Sequence, residues 1–446
     1  MRPGKVFFFI VCCLLGLSTM CLFLPHRVEA GTRTLRWPTL AEVFGTAENE
    51  EEDDEYFAYE EDELPEFPEF AEYIEIDTTE EKTDTVSQPT TNRVVAPKIH
   101  VDSTTDSRRF LSAFYASLQH AGNQQVRVLH YGDSQIEEDR MTAQIRHQLQ
   151  DRYGGSGVGL MPLAQTIPNV SVSQKLIMNG KPVTAQQGPK RYLVYGLKSA
   201  QRSDGLYGPM GQVAIMSDSL VKGSEDITAI CTPKDGRTRY TRWRVLADAG
   251  IDYAHNGDTL TLNGKGAVYG LSQESATGII VDNIPMRGCL GLVFTHMNAD
   301  QLTRFYRDAN VSLIILQFGG NAIPSNEKPS TIYSIVKGLR EQVRYLKQCA
   351  PGASFLFIGP SDMLTTIDGE QTSYPLIPYM DRLLRKMALE EEIAYFSLFQ
   401  WMGGAGSMAR WQENGLATSD GVHFQRSGAR KAGNAVVDWL LEGVDN

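Results

Sequence analysis

Three short motifs in this chain carry side chains that could together cleave an ester bond. The first, Gly132-Asp133-Ser134, follows an apolar run at residues 126–130 and precedes a charged segment with the pattern of a helix. A serine hydroxyl is a weak nucleophile until a neighbouring base accepts its proton. Alone, the tripeptide more often marks a turn or a helix N-cap. It is not a Gly-x-Ser-x-Gly elbow, because Ile136 stands where the last glycine belongs.

The second motif supplies a base and a partner for it. Asp420 and His423 lie three residues apart in a glycine-containing turn. Histidine accepts protons near neutral pH, and a carboxylate fixes its tautomer and stabilises the imidazolium. An isolated histidine is more often structural or solvated. His130 is a competing base, but it ends an extended run and is expected to point away from the reactive face of the Ser134 turn.

The third motif, Gly319-Gly320-Asn321, follows the most hydrophobic run of the chain at residues 311–318. An asparagine amide and backbone N–H groups are the donors that an oxyanion requires. For this motif alone, an ordinary glycine-rich turn is the alternative. The conjunction of all three motifs predicts a site for acyl transfer.

The elements around these motifs predict an α/β fold with a doubly wound parallel sheet. Buried parallel strands are expected at residues 126–130, 311–318, 355–358 and 393–398. Ligands of such sheets bind beyond the carboxyl ends of the strands, where Ser134 and Asn321 would then meet.

Segments with helical periodicity separate or follow these strands, at residues 136–153, 332–349 and 430–443. The first of them places Met141, Ile145 and Leu149 on one face. It is expected to begin directly after Ser134, so that the acidic residues 137–139 occupy its first turn.

Between these parts, residues 170–284 show short β-like runs broken by Gly, Asn and Asp. This texture predicts an inserted β-sandwich-like domain. Its aromatic residues Tyr240, Trp243 and Tyr269 could stack on sugar rings. The more common alternative is that they form the core of the sandwich.

The N-terminus predicts export. Two positive charges precede twenty uncharged residues at 6–25, and Ala30 offers a cleavage site, so residues 1–30 are either a signal peptide or a membrane anchor. The net charge is -12, but residues 48–84 hold nineteen acidic residues and one lysine, which leaves the remainder at +6. Residues 31–104 are therefore predicted to be an acidic, disordered linker.

Three cysteines lie beyond the N-terminal segment: Cys231, Cys289 and Cys349. They lack the close spacing of metal ligands, so no metal site is expected. One disulfide could form in an oxidising compartment, and three buried thiols are the alternative.

With these motifs in this order, the chain resembles the SGNH hydrolases, the GDSL-type esterase superfamily. The resemblance covers residues 105–165 and 285–446 and implies a flavodoxin-like sheet. It implies that Ser134, Asp420 and His423 are catalytic, and that Ser134, Gly288 and Asn321 form the oxyanion hole. Gly132, Asp133 and Gly319 would support them. Two positions depart from the family pattern: Gln135 replaces a leucine and Ala322 replaces an aspartate.

The placement of the inserted domain is similar to that in bacterial peptidoglycan O-acetylesterases. This implies a serine esterase that removes O-acyl groups, foremost O-acetyl, from peptidoglycan or another cell-envelope glycan. An O-acetyltransferase with the same triad is the alternative, and it would need a membrane partner that delivers the acyl group. A non-catalytic glycan-binding protein is a third reading.

The expected compartment is the periplasm or cell envelope, with attachment to the inner membrane, if any, only through residues 6–25. The expected partner is the O-acylated glycan. No cofactor and no nucleic acid are expected.

Overall fold

The computed structural model describes residues 106–163, 167–178, 227–234, 240–264, 266–324, 326–442 and 444, and the backbone of short strands elsewhere. The predicted signal or anchor and the acidic linker lie outside the described residues, except for a hairpin formed by Arg27–Ala30 and Arg33–Arg36. Within the described residues, no helix has the length and apolar character needed to cross a membrane.

The strands are numbered along the chain. They are β1 (Arg27–Ala30), β2 (Arg33–Arg36), β3 (Gln125–Gly132), β4 (Gly159–Met161), β5 (Val172–Met178), β6 (Lys181–Val183), β7 (Val194–Tyr195), β8 (Gln201–Arg202), β9 (Gly205–Leu206), β10 (Val213–Met216), β11 (Ile227–Pro233), β12 (Arg242–Ala247), β13 (Ile251–Asn256), β14 (Thr259–Gly264), β15 (Gly266–Glu274), β16 (Gly278–Pro285), β17 (Val311–Gln317), β18 (Ser354–Ile358), β19 (Leu364–Ile367), β20 (Glu370–Ser373) and β21 (Ala394–Phe396).

The α-helices are numbered in the same way. They are α1 (Ser112–Leu118), α2 (Thr142–Tyr153), α3 (Ala299–Asp308), α4 (Pro329–Cys349), α5 (Ile377–Glu390), α6 (Leu398–Met402), α7 (Ser407–Glu413) and α8 (Arg426–Leu441).

The centre of the fold is a parallel sheet with the strand order β16-β3-β17-β18-β21. Numbered within this sheet, the order is 2-1-3-4-5, which is the flavodoxin-like form of a doubly wound sheet. The four predicted strands are confirmed as β3, β17, β18 and β21. Alternate residues of β3 belong to separate hydrophobic clusters, with Val126 and Val128 in one and Leu129 and Tyr131 in the other. The sheet is therefore packed on both faces.

The boundary predicted at residue 284 is wrong. Strand β16 (Gly278–Pro285) belongs to the central sheet and pairs in parallel with β3. Asp282 and Asn283 interrupt the apolar run of β16. Its sequence pattern therefore resembles that of the β-rich insertion that precedes it. Both side chains are buried and have polar partners: Asp282 accepts from the Leu160 N–H, and Asn283 accepts from the Thr142 hydroxyl.

The helix predicted directly after Ser134 begins later than expected. A short 3-10 segment, Ser134–Asp139, contains a kink, and α2 starts at Thr142. Glu138 and Asp139 adopt positive φ angles of 59° and 64°, so the acidic residues form a turn instead of a first helical turn. The predicted apolar face is confirmed, because Met141, Ile145 and Leu149 are all buried.

The inserted region contains most strands of two five-stranded antiparallel sheets, which share one hydrophobic core, and the strands β8 and β9 pair in a separate hairpin. This arrangement agrees with the predicted sandwich-like domain. Trp243 and Tyr269 are 4% and 8% exposed, so they are core residues and cannot stack on a sugar. Tyr240 packs edge-on against Trp243, with 5.6 Å between the ring centroids.

The three described cysteines are unpaired and buried. Burial raises the pKa of both Cys231 and Cys289 to about 12, as expected for thiols that serve as small apolar groups. The alternative of buried thiols therefore holds for this structure.

A buried ion cluster joins the central sheet to the sandwich. Arg127 of β3 is paired with Glu274 of β15 and lies 3.5 Å from Asp282 of β16, and all three side chains are fully buried. Arg242 and Arg244 approach the other oxygen of Glu274, each at 3.0 Å. Burial alone would raise the pKa of Glu274, but Arg127 and Arg244 outweigh it and lower the pKa to about 2.

Removing one member of this cluster should be costly, because the others would stay buried without compensation. We expect Arg127→Met to lower the free energy of unfolding by about 3 to 5 kcal/mol in urea titrations. The control is Arg307→Met, which breaks an exposed pair with Asp308 and should cost less than about 1 kcal/mol. Equal losses in the two variants would contradict the role of the cluster.

Candidate active site

Ser134 lies at the carboxyl end of β3, in a turn that is built around a glycine. A Cβ on Gly132 would lie 3.1 Å from the Gln317 carbonyl oxygen and 3.0 Å from Ile136 Cδ1, so a side chain there would crowd the turn. The Asp133 carboxylate caps the turn by accepting a hydrogen bond from the Gln135 N–H at 2.9 Å. The turn thereby presents the half-buried Ser134 hydroxyl at the edge of the sheet.

Ser134, His423 and Asp420 form one hydrogen-bonded chain. Ser134 Oγ lies 2.8 Å from His423 Nε2, and His423 Nδ1 lies 2.8 Å from Asp420 Oδ2. A carboxylate only accepts, so the neutral imidazole carries its proton on Nδ1 and leaves Nε2 free to accept from the serine. This is the arrangement of a nucleophile, a general base and an orienting acid.

The loop before α8 holds Asp420 in a fixed orientation. Its Oδ1 accepts three hydrogen bonds: from the Thr418 hydroxyl at 2.5 Å, the Val422 N–H at 2.8 Å and the His423 N–H at 3.0 Å. Burial alone would raise the pKa of Asp420, but the bonds from Thr418, His423 and Val422 outweigh it and lower that pKa. Asp420 therefore stays ionised at neutral pH and keeps Oδ2 for the imidazole.

Asn321 lies close to the same turn. Gly319 precedes it with a φ of 112°, a conformation that side chains disfavour, and this bend starts the short 3-10 turn Gly320–Ala322. The Asn321 amide nitrogen donates to the Cys289 carbonyl at 3.2 Å and lies 3.4 Å from Asp133 Oδ2. Asp133 thus supplies a carboxylate next to Asn321, where Ala322 offers none.

Gly288 is the predicted site residue with the weakest structural connection to the others. It is exposed, with a φ of 70°, and it precedes Cys289, whose carbonyl accepts from Asn321. Its role in an oxyanion hole stays a prediction.

His130 does not compete with His423. It is fully buried, with Nε2 3.0 Å from Gln317 Oε1 and Nδ1 2.9 Å from the Thr142 hydroxyl. Burial lowers its pKa to about 4, which keeps the ring neutral. His130 is a structural histidine of the sheet, as its position in an extended run predicts.

A small cavity of about 40 Å³ opens beside Ser134. The loops at the carboxyl ends of β3, β17 and β18 and the loop of His423 form its wall: Asp133, Ser134, Gln135, Gln317, Phe318, Gly320, Asn321, Pro324, Pro360, Ser361, Met363 and Val422. Sequence reasoning did not assign a role to Gln135, Ser361 or Met363. For Gln135, the sequence offered one indication of a special role, which is its departure from the leucine of the family pattern.

Within the described residues, no group of three or more His, Cys, Asp and Glu side chains could hold a metal ion.

No protein-family model and no curated protein sequence matches this chain. Among solved structures, a peptidoglycan O-acetylesterase matches with a TM-score of 0.60 and 21% identity, covering 76% of this chain and 99% of the other. An acetyl xylan esterase matches with a TM-score of 0.27 and 16% identity, covering 36% of this chain and 80% of the other. A carbohydrate acetylesterase from Sinorhizobium meliloti matches with a TM-score of 0.26 and 16% identity, covering 36% and 77%. The first match shows the fold.

The buried Asp133 should make stability depend on pH. Burial raises its pKa from 3.8 to about 6, although the Gln135 N–H and His423 act in the opposite direction. Because the folded pKa lies above the unfolded value, the contribution of Asp133 is full below pH 3.8 and is lost as the pH rises through 6. This loss amounts to about 3 kcal/mol.

We expect Asp133→Asn to remove this decline, since an asparagine oxygen still accepts from Gln135 but carries no charge. Urea unfolding from pH 4 to 7 measures the difference from the parent protein. The exposed Asp308→Asn serves as control and should leave the profile unchanged. Parallel profiles for the parent and Asp133→Asn would contradict the prediction.

Proposed function

Because the chain has the fold of the SGNH hydrolase superfamily, we propose that it is a serine esterase that removes O-acetyl groups from a cell-envelope glycan. The observation that carries this proposal is the hydrogen-bonded chain from Ser134 through His423 to Asp420, with 2.8 Å at each step. This chain provides the nucleophile, the base and the orienting acid that ester cleavage needs.

The first half of the reaction acylates the enzyme. His423 Nε2 accepts the Ser134 proton while Ser134 Oγ attacks the ester carbonyl and forms a tetrahedral intermediate. Asp420 stabilises the imidazolium that results. The intermediate collapses when the bond to the sugar oxygen breaks, and that oxygen takes the proton from His423. The products are an acyl-serine and a free sugar hydroxyl.

The second half releases the acyl group. A water molecule gives its proton to His423 Nε2 and attacks the acyl-serine carbonyl. The second tetrahedral intermediate expels Ser134 Oγ, which recovers the proton from His423. The free acid is the second product, and the enzyme returns to its starting state.

The negative oxygen of each intermediate needs donors. The Ser134 N–H, the Gly288 N–H and the Asn321 amide are the proposed set, and a single donor contributes about 3 kcal/mol in comparable sites. At rest, the Asn321 amide contacts the Cys289 carbonyl and Asp133, the latter at a long 3.4 Å. Turning one N–H from the weaker contact towards the substrate would cost little.

The cavity beside Ser134 favours a short acyl group. Its volume of about 40 Å³ compares with roughly 10 to 15 Å³ for the space that holds one water. An acetyl group has three heavy atoms and fits such a space. A longer chain would displace buried residues such as Met363, which is 2% exposed.

The glycan and the compartment are further parts of the proposal. A solved structure with this fold is that of a peptidoglycan O-acetylesterase, and residues 1–30 have the residue pattern of an export segment. We therefore propose that the substrate is O-acetylated peptidoglycan or a related polysaccharide of the periplasm or cell envelope. The sandwich would contact the glycan through exposed residues such as Tyr253, which is 47% exposed, since Trp243 and Tyr269 are buried.

The proposal predicts that activity depends on the Ser134 hydroxyl. Purified full-length protein should release acetate from O-acetylated peptidoglycan, and Ser134→Ala should lower the rate at least about 1,000-fold, because the acyl intermediate of the proposed reaction forms on the Ser134 hydroxyl. Circular dichroism checks that the variant is folded.

A glycan acceptor is added to parallel reactions to distinguish hydrolysis from transfer. Free acetate identifies an esterase, whereas serine-dependent acetylation of the acceptor would identify a transferase, and unchanged turnover in Ser134→Ala would refute both.

The proposal also predicts a preference for short acyl groups. With 4-nitrophenyl esters, kcat/KM should fall about 10- to 100-fold from acetyl to butyryl, as expected when extra methylenes enter a filled space. The matched variant Met363→Ala enlarges the cavity and should reduce this ratio. Equal rates for the two esters in the parent protein would contradict the assignment of the cavity to the acyl group.

A further inference from the structure

Gln135 connects the turn of the nucleophile to the loop of the base. Its side-chain Nε2 donates to the Val422 carbonyl at 2.6 Å and to the Ser361 hydroxyl at 3.3 Å. The side chain is only 9% exposed. Because a carbonyl oxygen only accepts, the group that faces Val422 must be the amide NH₂.

The bond from Gln135 acts on the peptide unit that leads into His423. The carbonyl of this unit belongs to Val422 and accepts from Gln135, while its N–H belongs to His423 and donates to Asp420 Oδ1 at 3.0 Å. A peptide unit is planar, so fixing both polar ends fixes its orientation. The position of the His423 Cα atom is thereby set.

Other bonds also tie this loop to the rest of the protein, but they act on other peptide units. Gln412 Nε2, for example, donates to the Thr418 carbonyl at 2.8 Å. The Leu364 N–H donates to the Gly421 carbonyl at 2.9 Å, and Arg140 Nη1 donates to the Phe424 carbonyl at 2.8 Å. Asp420 also orders the loop, but it belongs to the loop and does not connect it to the turn of Ser134. The contact from Gln135 differs from these others. Gln135 directly follows Ser134 in the chain, and its hydrogen bond acts on the peptide unit between Val422 and His423.

We propose that Gln135 is a positioning residue that holds His423 Nε2 within hydrogen-bond reach of Ser134 Oγ. Its backbone follows the nucleophile and its amide holds the base, so the two groups move as one unit. This inference rests on the proposed esterase function. Gln135 takes no part in proton transfer: it acts through His423, whose distance of 2.8 Å to Ser134 is short enough for the transfer.

The test replaces the amide by apolar groups of similar size. In Gln135→Met and Gln135→Leu, the Val422 carbonyl loses its donor while the wall of the acyl cavity stays filled. We expect kcat for an acetyl ester to fall about 10- to 100-fold, the effect of a small misplacement of a catalytic group. KM should stay within about twofold, because the interactions that bind the ester are retained.

Gln342→Met is the matched control. Gln342 is also buried, at 3% exposure, and its side-chain amide holds a different loop through the Thr295 N–H at 2.9 Å and the Thr295 hydroxyl at 3.2 Å. This variant loses comparable hydrogen bonds of a buried amide. Neither Gln342 nor Thr295 is hydrogen-bonded to Ser134, His423 or Asp420. It should lower thermal stability but leave kcat unchanged, which separates positioning from general destabilisation.

A fluorophosphonate probe, which reacts with activated serines, separates a loss of reactive sites from a loss of rate per site. The amount of probe bound at completion counts the folded, reactive sites, so kcat is expressed per reactive site even if a variant folds poorly. The rate of labelling reports how well His423 activates Ser134, and it should fall with kcat in both Gln135 variants.

A parent protein that neither hydrolyses acetyl esters nor labels at Ser134 would overturn the esterase function and this inference with it. A parent protein that does both, together with Gln135→Met and Gln135→Leu that retain its kcat and labelling rate, would overturn the inference alone. A loss of kcat in Gln342→Met as large as in the Gln135 variants would also overturn it.

Discussion

The parallel pairing of β3 with β17 is the constraint on which the rest of the structure depends. Parallel strands end at the same edge of a sheet, so the turn after β3 and the turn after β17 must lie side by side. In the order 2-1-3-4-5, β3 and β17 flank the point at which the strand order reverses. The connections that follow these two strands run to opposite faces of the sheet, and a crevice opens between them. Ser134 and Asn321 occupy that crevice although 187 positions separate them in the sequence.

The proposed base reaches the crevice on a loop and not on the end of a strand. His423 lies in a loop before α8, and loops of this kind need side-chain bonds to hold one conformation. Asp420 supplies these bonds within the loop, since one carboxylate oxygen collects three donors while the other orients the imidazole. Gln135 links this loop to the turn of Ser134, the proposed nucleophile. The geometry of the proposed triad therefore depends on amide and carboxylate groups that do not themselves react.

Buried charge is concentrated where the sandwich meets the central sheet. Arg127, Glu274 and Asp282 are fully removed from water, and a second buried pair, Arg146 with Asp139, lies 2.7 Å apart next to Ser171. Such pairs contribute little net stability, because the loss of hydration offsets the attraction between the charges. Their geometry is exacting, however, and it fixes how the insertion joins the strands on either side of it. The first match among solved structures covers 76% of this chain, so the shared fold extends beyond the central sheet alone.

The sequence by itself determined the parts of this protein whose signal is local. Apolar runs with the period of strands and helices identified β3, β17, β18, β21 and the apolar face of α2, because burial on both faces of a sheet selects such runs. The residue types at three loops predicted which side chains form the proposed site, because only a few groups can act as nucleophile, base and oxyanion donor. The tertiary structure decided everything that depends on partners distant in the chain. It placed β16 in the central sheet, where the buried Asp282 lies 3.5 Å from Arg127 and accepts from the Leu160 N–H. It moved the start of α2 to Thr142, because Asp139 turns inward to bind Arg146. It also gave Gln135 its role, which cannot be read from a glutamine alone and exists only because Val422 lies opposite it.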